Sequence, residues 1–153
     1  EDWRIDSTFT AIHLDYMRKR YWRSRYSLSF PRLRPCTGGV AGTRDMTNKQ
    51  LVQLICAYRL RFPDVELSLS TREQKSLRDG LFSLGVTSVS AESKTQPGGY
   101  ANEKEELEQF SIDDDRSVNE VAEAIKAKGL QPVWTDWLNE LSAKPPETFS
   151  SPE

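Results

Sequence analysis

The chain has 153 residues, 37% hydrophobic and 29% charged, enough for one domain with a core but short of a closed α/β barrel, which takes about 250 residues. Lys+Arg 21 nearly cancels Asp+Glu 23, so no average field draws the chain to nucleic acid or to an anionic membrane. No run approaches the roughly 20 apolar residues of a membrane span, and the first residues, EDWRIDSTF, lack the basic and apolar regions of a secretory signal.

Cys36 and Cys56 stand twenty positions apart and His13 is the only histidine. That spacing is neither a disulfide framework nor a metal-ligand pattern, so a self-contained zinc site or catalytic histidine is not expected. A cytoplasmic protein is the expectation, with ligands for any metal supplied from elsewhere.

A helix is expected from Asp6, with Phe9, Ile12, His13, Tyr16, Met17 and Arg20 on one face and Arg18, Lys19 and Arg20 suiting its carboxyl end. Tyr26 to Phe30 alternates as a strand. Thr47 and Gln50 form a capping box that opens a helix striped by Leu51, Leu54, Ile55, Tyr58 and Phe62 and stopped by Pro63. Val65 to Ser70 is a second alternating strand. Thr71 and Gln74 repeat the box pattern before a helix with Leu77, Leu81 and Leu84, ended by Gly85. Val86 to Ala91 reads as a third strand. Strands separated by helices with short connections predict βαβ units and a parallel sheet.

A long connection, Ser93 to Arg116, holds a short acidic helix from Asn102 to Glu108 in this reading. Ser117 with Glu120 then caps a helix whose apolar face is Val118, Val121, Ala122 and Ile125, with Gly129 as its stop. Leu130 to Trp134 is expected to be extended. The stretch from Ala143 to Glu153 is too poor in apolar residues to order itself.

Each strand has one small polar face. Ser27 and Ser29 alternate with Tyr26, Leu28 and Phe30; Glu66, Ser68 and Ser70 with Val65, Leu67 and Leu69; Ser88 and Ser90 with Thr87, Val89 and Ala91. With the apolar faces on the helices, the serine faces look either into a barrel lumen with room for a ligand or, in the alternative, into water. Glu66, on this face, is a candidate internal acid or base, with a structural partner for a lumen arginine as the competing role.

In α/β barrels the chemistry sits where strands end. After the first strand, Pro31 and Pro35 stiffen a segment presenting Arg32 and Arg34, whose planar forks suit carboxylate or phosphate. Thr37-Gly38-Gly39 follows as a weak phosphate signal. After the second strand, Ser70-Thr71-Arg72-Glu73 puts Arg72 in the expected first turn of a helix, where an anion is favoured. Glu73 either pairs with Arg72 or is a favourable acid at a helix start. After the third, Glu92, Ser93 and Lys94 lead to Pro97-Gly98-Gly99-Tyr100, either a plain turn or a close backbone approach to a ligand. Seven basic residues from Arg18 to Arg34, interleaved with Tyr21, Trp22, Tyr26 and Phe30, supply the rival reading, a nucleic-acid or anion-binding module.

The blocks YWRSRYSLSFPRLRPCTGG, ELSLSTRE, VSAESKTQPGGY, LEQFSIDDDR and LQPVWTDW, in this order from Asp2 to about Leu141, resemble the 2-iminoacetate synthases, radical-SAM tyrosine lyases of thiamine biosynthesis. The Cys-x-x-x-Cys-x-x-Cys motif that holds the [4Fe-4S] cluster in that family is absent, so only the carboxy-terminal portion is resembled. The implied fold is α/β: the last three parallel strands of a (β/α) radical-SAM barrel with flanking helices (1–92), an extension completing it (93–142) and a disordered tail (143–153).

The resemblance implies S-adenosylmethionine as cofactor, a cluster held outside this chain, cleavage of the tyrosine Cα–Cβ bond to 2-iminoacetate and p-cresol, and a thiazole synthase partner. It places Ser29, Pro31 and Arg32 near S-adenosylmethionine and Ser70 and Arg72 on the substrate carboxylate, and assigns no catalytic residue and no metal ligand here. The hydrogenase-maturation tyrosine lyase shares similar strand-end motifs but carries a second cluster on C-terminal cysteines, of which this chain has none after Cys56, and the tryptophan lyases of the same superfamily are a weaker match across the PGGY and QF blocks.

Overall fold

The computed structural model describes residues 2–32, 46–95 and 112–134. Helix α1 (Trp3–Arg20) leads to strand β1 (Ser27–Ser29), α2 (Asn48–Arg61), β2 (Glu66–Leu69), α3 (Lys75–Leu81), β3 (Ser88–Val89) and α4 (Val118–Ala127). The strands form one sheet in the order β1-β2-β3. Both pairs are parallel, with Ser27 opposite Glu66 and Ser68 opposite Ser88. The mixed α/β architecture and its parallel sheet agree with the sequence-based expectation.

Helix α2 forms as its local chemistry dictates. The Thr47 side chain accepts from the Gln50 amide while the Gln50 side chain accepts from the Thr47 amide, so two orphan donors are satisfied at once. Its stripe of Leu51, Leu54, Ile55 and Tyr58, with Phe62 just beyond, is buried against Val65, Leu67 and Leu69 of the β2 segment and Leu81 of α3. Phe30 meets Tyr58 edge-on at 5.2 Å between centroids, and Tyr58 lies 5.6 Å from Phe62. The Tyr58 hydroxyl donates to the Ser7 carbonyl at 2.5 Å, tying α2 to α1. Helix α4 repeats the reciprocal cap with Ser117 and Glu120 and ends before Gly129, whose φ of +74° suits a residue without Cβ.

Three expectations are corrected. Helix α1 starts at Trp3, capped by Asp2, and of the residues placed on one face Phe9, Ile12 and Tyr16 point outward: Phe9 is 68% exposed and Ile12 and Tyr16 each 60%. Its inner face is instead Trp3, Ala11 and Leu14. Helix α3 starts at Lys75, with Gln74 as an N-cap that makes no side-chain cap bond. Thr71 lies three residues before that N-cap, is buried, and does not cap α3. The third strand is two residues long, although Thr87 and Ser90 still donate to the Leu67 and Leu69 carbonyls at its flanks.

Leu67 and Leu69 are buried under the helices, whereas Ser27 and Ser29 are exposed and Glu66, Ser68 and Ser88 half-buried. The polar sheet face is thus open among the described residues. Leu130 to Trp134 forms no strand. The acidic segment 102–108, the Thr37-Gly38-Gly39 and Pro97-Gly98-Gly99-Tyr100 segments, Arg34, Cys36 and the tail 143–153 lie outside the described residues.

Candidate active site at the strand ends

The segments that follow the three strands emerge from one end of the parallel sheet. Beyond β1, Ser29 and Pro31 are exposed, Phe30 turns inward onto Tyr58, and Arg32 is half-buried. Arg32 Nε donates to Glu73 Oε1 at 2.9 Å, Nη2 donates to Glu73 Oε2, and Nη1 donates to the Met46 carbonyl at 2.9 Å. This is the fork-to-fork geometry that fixes a guanidinium in both distance and plane. Glu73 thus pairs across the sheet with Arg32 and lies outside helix α3, so it is not an acid at that helix start.

Beyond β2, the Arg72 amide donates to the Ser70 hydroxyl oxygen at 3.3 Å, and the Glu73 amide to the Ser70 carbonyl at 3.5 Å. Ser70 and Arg72 are half-buried, while Thr71 between them is buried. Arg72 therefore belongs to a tight turn three residues before α3, and the helix-start argument for its anion affinity does not apply. A hydroxyl that accepts from an amide keeps its own proton to donate, so the Ser70 hydroxyl, which accepts from the Arg72 amide, retains a donor at this strand end.

Segment 112–117 returns to the same end. The amides of Asp113 and Asp114 both donate to the Thr71 carbonyl at 3.1 Å. The Asp114 carboxylate accepts from Arg78 Nη1, from Arg116 Nη2 at 2.7 Å and from Arg116 Nε at 2.9 Å. Arg78 Nη2 reaches the Ser90 carbonyl beyond β3, and Arg116 also holds Asp79 at 2.8 Å. Burial pushes the Asp114 pKa up, but the Arg116 hydrogen bond and the Arg78 charge outweigh it and hold the group at about 2. Burial lowers the Arg78 pKa against the charge of Asp114, yet a guanidinium stays protonated at any such value. Sequence reasoning missed this cluster. One signal was present: Arg78 lies next to Leu77 and one turn before Leu81, on the buried side of α3.

Glu66 accepts from the Ser27 hydroxyl at 3.1 Å on the polar sheet face. A groove of about 840 Å³ lies elsewhere, between α4 and the starts of β2 and β3. Val65, Val86, Val89, Val121 and Ile125 line it, whereas the converging donors and charges are at the strand ends. Arg25, Arg59, Asp64 and Glu66 also line the groove, but Arg59 is engaged with the Gly85, Pro63 and Val65 carbonyls and Asp64 with Arg18. The basic stretch is dispersed: Arg18 pairs with Asp64, Arg32 with Glu73, and Arg20 and Arg23 lie over the rings of Tyr21 and Trp22. Among the described residues no group of three or more His, Cys, Asp and Glu side chains is placed to hold a metal ion, and no helix is long and apolar enough to cross a membrane.

Comparison with known proteins places this geometry in context. The chain is 59% identical over 137 residues to 2-iminoacetate synthase of Salmonella typhimurium and 58% identical over 137 residues to that of Escherichia coli, in each case covering 90% of this chain and 36% of the relative. The chain thus spans about a third of the length of the curated relatives it matches. Among solved structures, the FeFe-hydrogenase maturase HydG from Carboxydothermus hydrogenoformans is 34% identical with a TM-score of 0.66, covering 79% of this chain and 28% of that one. A second HydG crystal structure is 27% identical with a TM-score of 0.80, covering 89% of this chain and 30% of that one. The family model for the Biotin and Thiamin Synthesis associated domain matches residues 29–131, a span that runs from the end of β1 through β2, β3 and α4 and includes both arginine-carboxylate clusters, and the chain belongs to that family.

Proposed function

We propose that the chain is the carboxy-terminal portion of a cytoplasmic radical-SAM lyase that cleaves the Cα–Cβ bond of tyrosine to 2-iminoacetate and p-cresol, providing the precursor of the thiamine thiazole to a thiazole synthase. The observation that carries this reading is the identity of 59% over 137 residues to a 2-iminoacetate synthase. In this reading the rest of the enzyme holds the [4Fe-4S] cluster, and S-adenosylmethionine bound to it supplies the radical that activates tyrosine.

The residues of this chain bind and orient. Glu73 holds the Arg32 guanidinium in a fixed plane, and its contacts with Glu73 and the Met46 carbonyl occupy three of five N–H groups. The other two face a cofactor carboxylate in this reading, with Ser29 and Pro31 forming the adjoining wall. Ser70 and Arg72 take the tyrosine carboxylate. The open serine face lines the lumen of the barrel completed by the remaining sequence.

The surfaces of the chain fit an incomplete role. Ile5, Phe9, Ile12 and Tyr16 recur at helical spacing on the outer face of α1 and are all more than half exposed, and β1 pairs only with β2 in the described sheet. An apolar stripe beside an open strand edge is an association surface. Its occupant in this proposal is the amino-terminal remainder of the same enzyme, because the relatives extend well beyond the 36% that is matched.

The test replaces the matching portion of the Escherichia coli relative with this chain and measures p-cresol released from tyrosine under reducing conditions with S-adenosylmethionine. Release of p-cresol at a rate within about an order of magnitude of the parent's supports the reading, that span allowing about 1.4 kcal/mol in the barrier for imperfect joining. A folded hybrid with its cluster intact that releases none, beside an active parent, overturns it.

A further inference from the structure

Thr71 is the residue between the two proposed carboxylate donors, and its carbonyl receives both the Asp113 and Asp114 amides at 3.1 Å. Behind that carbonyl lies a charged cluster with almost no contact with water: Arg78 is 0% exposed and Asp114 1%. The Asp114 carboxylate binds Arg78 and both Nε and Nη2 of Arg116, and also accepts from the Arg116 backbone amide at 3.2 Å. Through Arg78 it reaches the Ser90 carbonyl at the end of β3, and through Arg116 it reaches Asp79 in α3. One carboxylate therefore joins the segments after β2 and β3 to the start of the segment before α4.

Buried ion pairs are poor sources of stability, since apolar residues of equal volume commonly serve as well or better. Burial of Arg78 even leaves its Nε without a partner among the described residues. A cluster that costs desolvation and sits directly beneath binding groups fits a positional role, because such groups must be held to within about 0.5 Å by the residues that support them. We propose that Asp114, with Arg78 and Arg116, is a positioning residue for recognition of the substrate's α-carboxylate: it fixes Thr71 from behind and so sets the spacing of the Ser70 hydroxyl and the Arg72 guanidinium. The proposal rests on the reading of Ser70 and Arg72 given above.

Tyrosine and tyramine, which differ only in the carboxylate, separate this role from general support of the fold. Binding of each is measured by calorimetry in the hybrid enzyme described above, for the parent hybrid, Asp114→Asn, Arg116→Lys and Arg72→Ala. Asp114→Asn weakens tyrosine about tenfold and leaves tyramine within about twofold, because only the carboxylate contacts lose their spacing. If both ligands weaken alike, or neither changes, the positioning role is overturned. Arg72→Ala decides the underlying reading separately: unchanged tyrosine affinity removes the carboxylate clamp itself, whereas weakened tyrosine with an unaltered Asp114→Asn profile removes only the role of the cluster. Should Asp114→Asn fail to fold, Arg116→Lys, which keeps the charge and loses the fork, carries the same two-ligand comparison.

Discussion

Glu73 grips Arg32 from the end of the neighbouring strand, accepting from Nε at 2.9 Å and also from Nη2. The two residues follow different strands, β1 and β2, so their bond fixes the relative position of two segments beyond the short paired stretch of backbone. Glu73 is 2% exposed, and the Arg32 side chain 14%.

Replacing Glu73 with Gln keeps the shape and one acceptor but removes the charge and half of the fork. A charge-assisted hydrogen bond at a largely buried site contributes on the order of 2 kcal/mol, so Glu73→Gln lowers unfolding stability by about that amount in urea titration. The exposed pair Lys126 and Glu123, at 2.8 Å on α4, is the control. Lys126→Ala changes stability by less than about 0.5 kcal/mol, because solvent screens that pair. Equal losses at the two sites contradict the positional reading of Arg32.

Asp114 predicts an acid limit. Its folded pKa of about 2 lies below the ordinary 3.8, so its contribution is fully present above pH ~4 and is lost as the pH falls through ~2. The gap corresponds to roughly 2 kcal/mol. Urea titrations between those pH values show stability falling steadily in the parent chain and a flatter profile in Asp114→Asn. Asp64, Asp115 and Glu120 are also held low, by Arg18, by Lys75 and by the Ser117 amide respectively. These groups lie at the surface, where added salt weakens ion pairs, so repeating the titration in salt separates their share from that of the buried aspartate.

The parts of this fold that local chemistry decides were legible in the sequence, and the parts that distant residues decide were not. The boxes of Thr47 with Gln50 and Ser117 with Glu120 each close within one turn, and both form. The same pattern at Thr71 and Gln74 makes no box: α3 begins only at Lys75, and Thr71 sits in the turn to which Asp113 and Asp114, about forty positions onward in the chain, donate their amides. Helix α1 carries apolar residues on two sides, Ile5, Phe9, Ile12 and Tyr16 on one and Trp3, Ala11 and Leu14 on the other. Periodicity reveals such stripes but not which one this chain covers. At the strand ends, Arg32 and Arg72 were evident from residue type, whereas the partner of Glu73 and the whole Asp114 cluster depend on contacts 41 and 36 positions apart.

Gly85 and Gly80 give the sharpest contrast between two substitutions of the same kind. Gly85 ends the turn after α3 with a φ of +107°, a conformation that L side chains rarely adopt. A Cβ there would stand 2.8 Å from Arg59 Cγ. Arg59 has little freedom to withdraw, since its guanidinium donates to the Gly85 carbonyl at 2.9 and 2.7 Å, to Pro63 at 2.8 Å and to Val65 at 3.0 Å. Gly80 lies within α3, and a Cβ there meets nothing within 4 Å. Gly80→Ala therefore stabilises the chain by about 0.4–1 kcal/mol through the entropy of the unfolded state, while Gly85→Ala destabilises it by more than about 1 kcal/mol through backbone strain and displacement of Arg59. Thermal unfolding of the two variants reads both signs directly. A stabilising Gly85→Ala would mean that Arg59 does not hold the three carbonyls from which β2 and β3 begin.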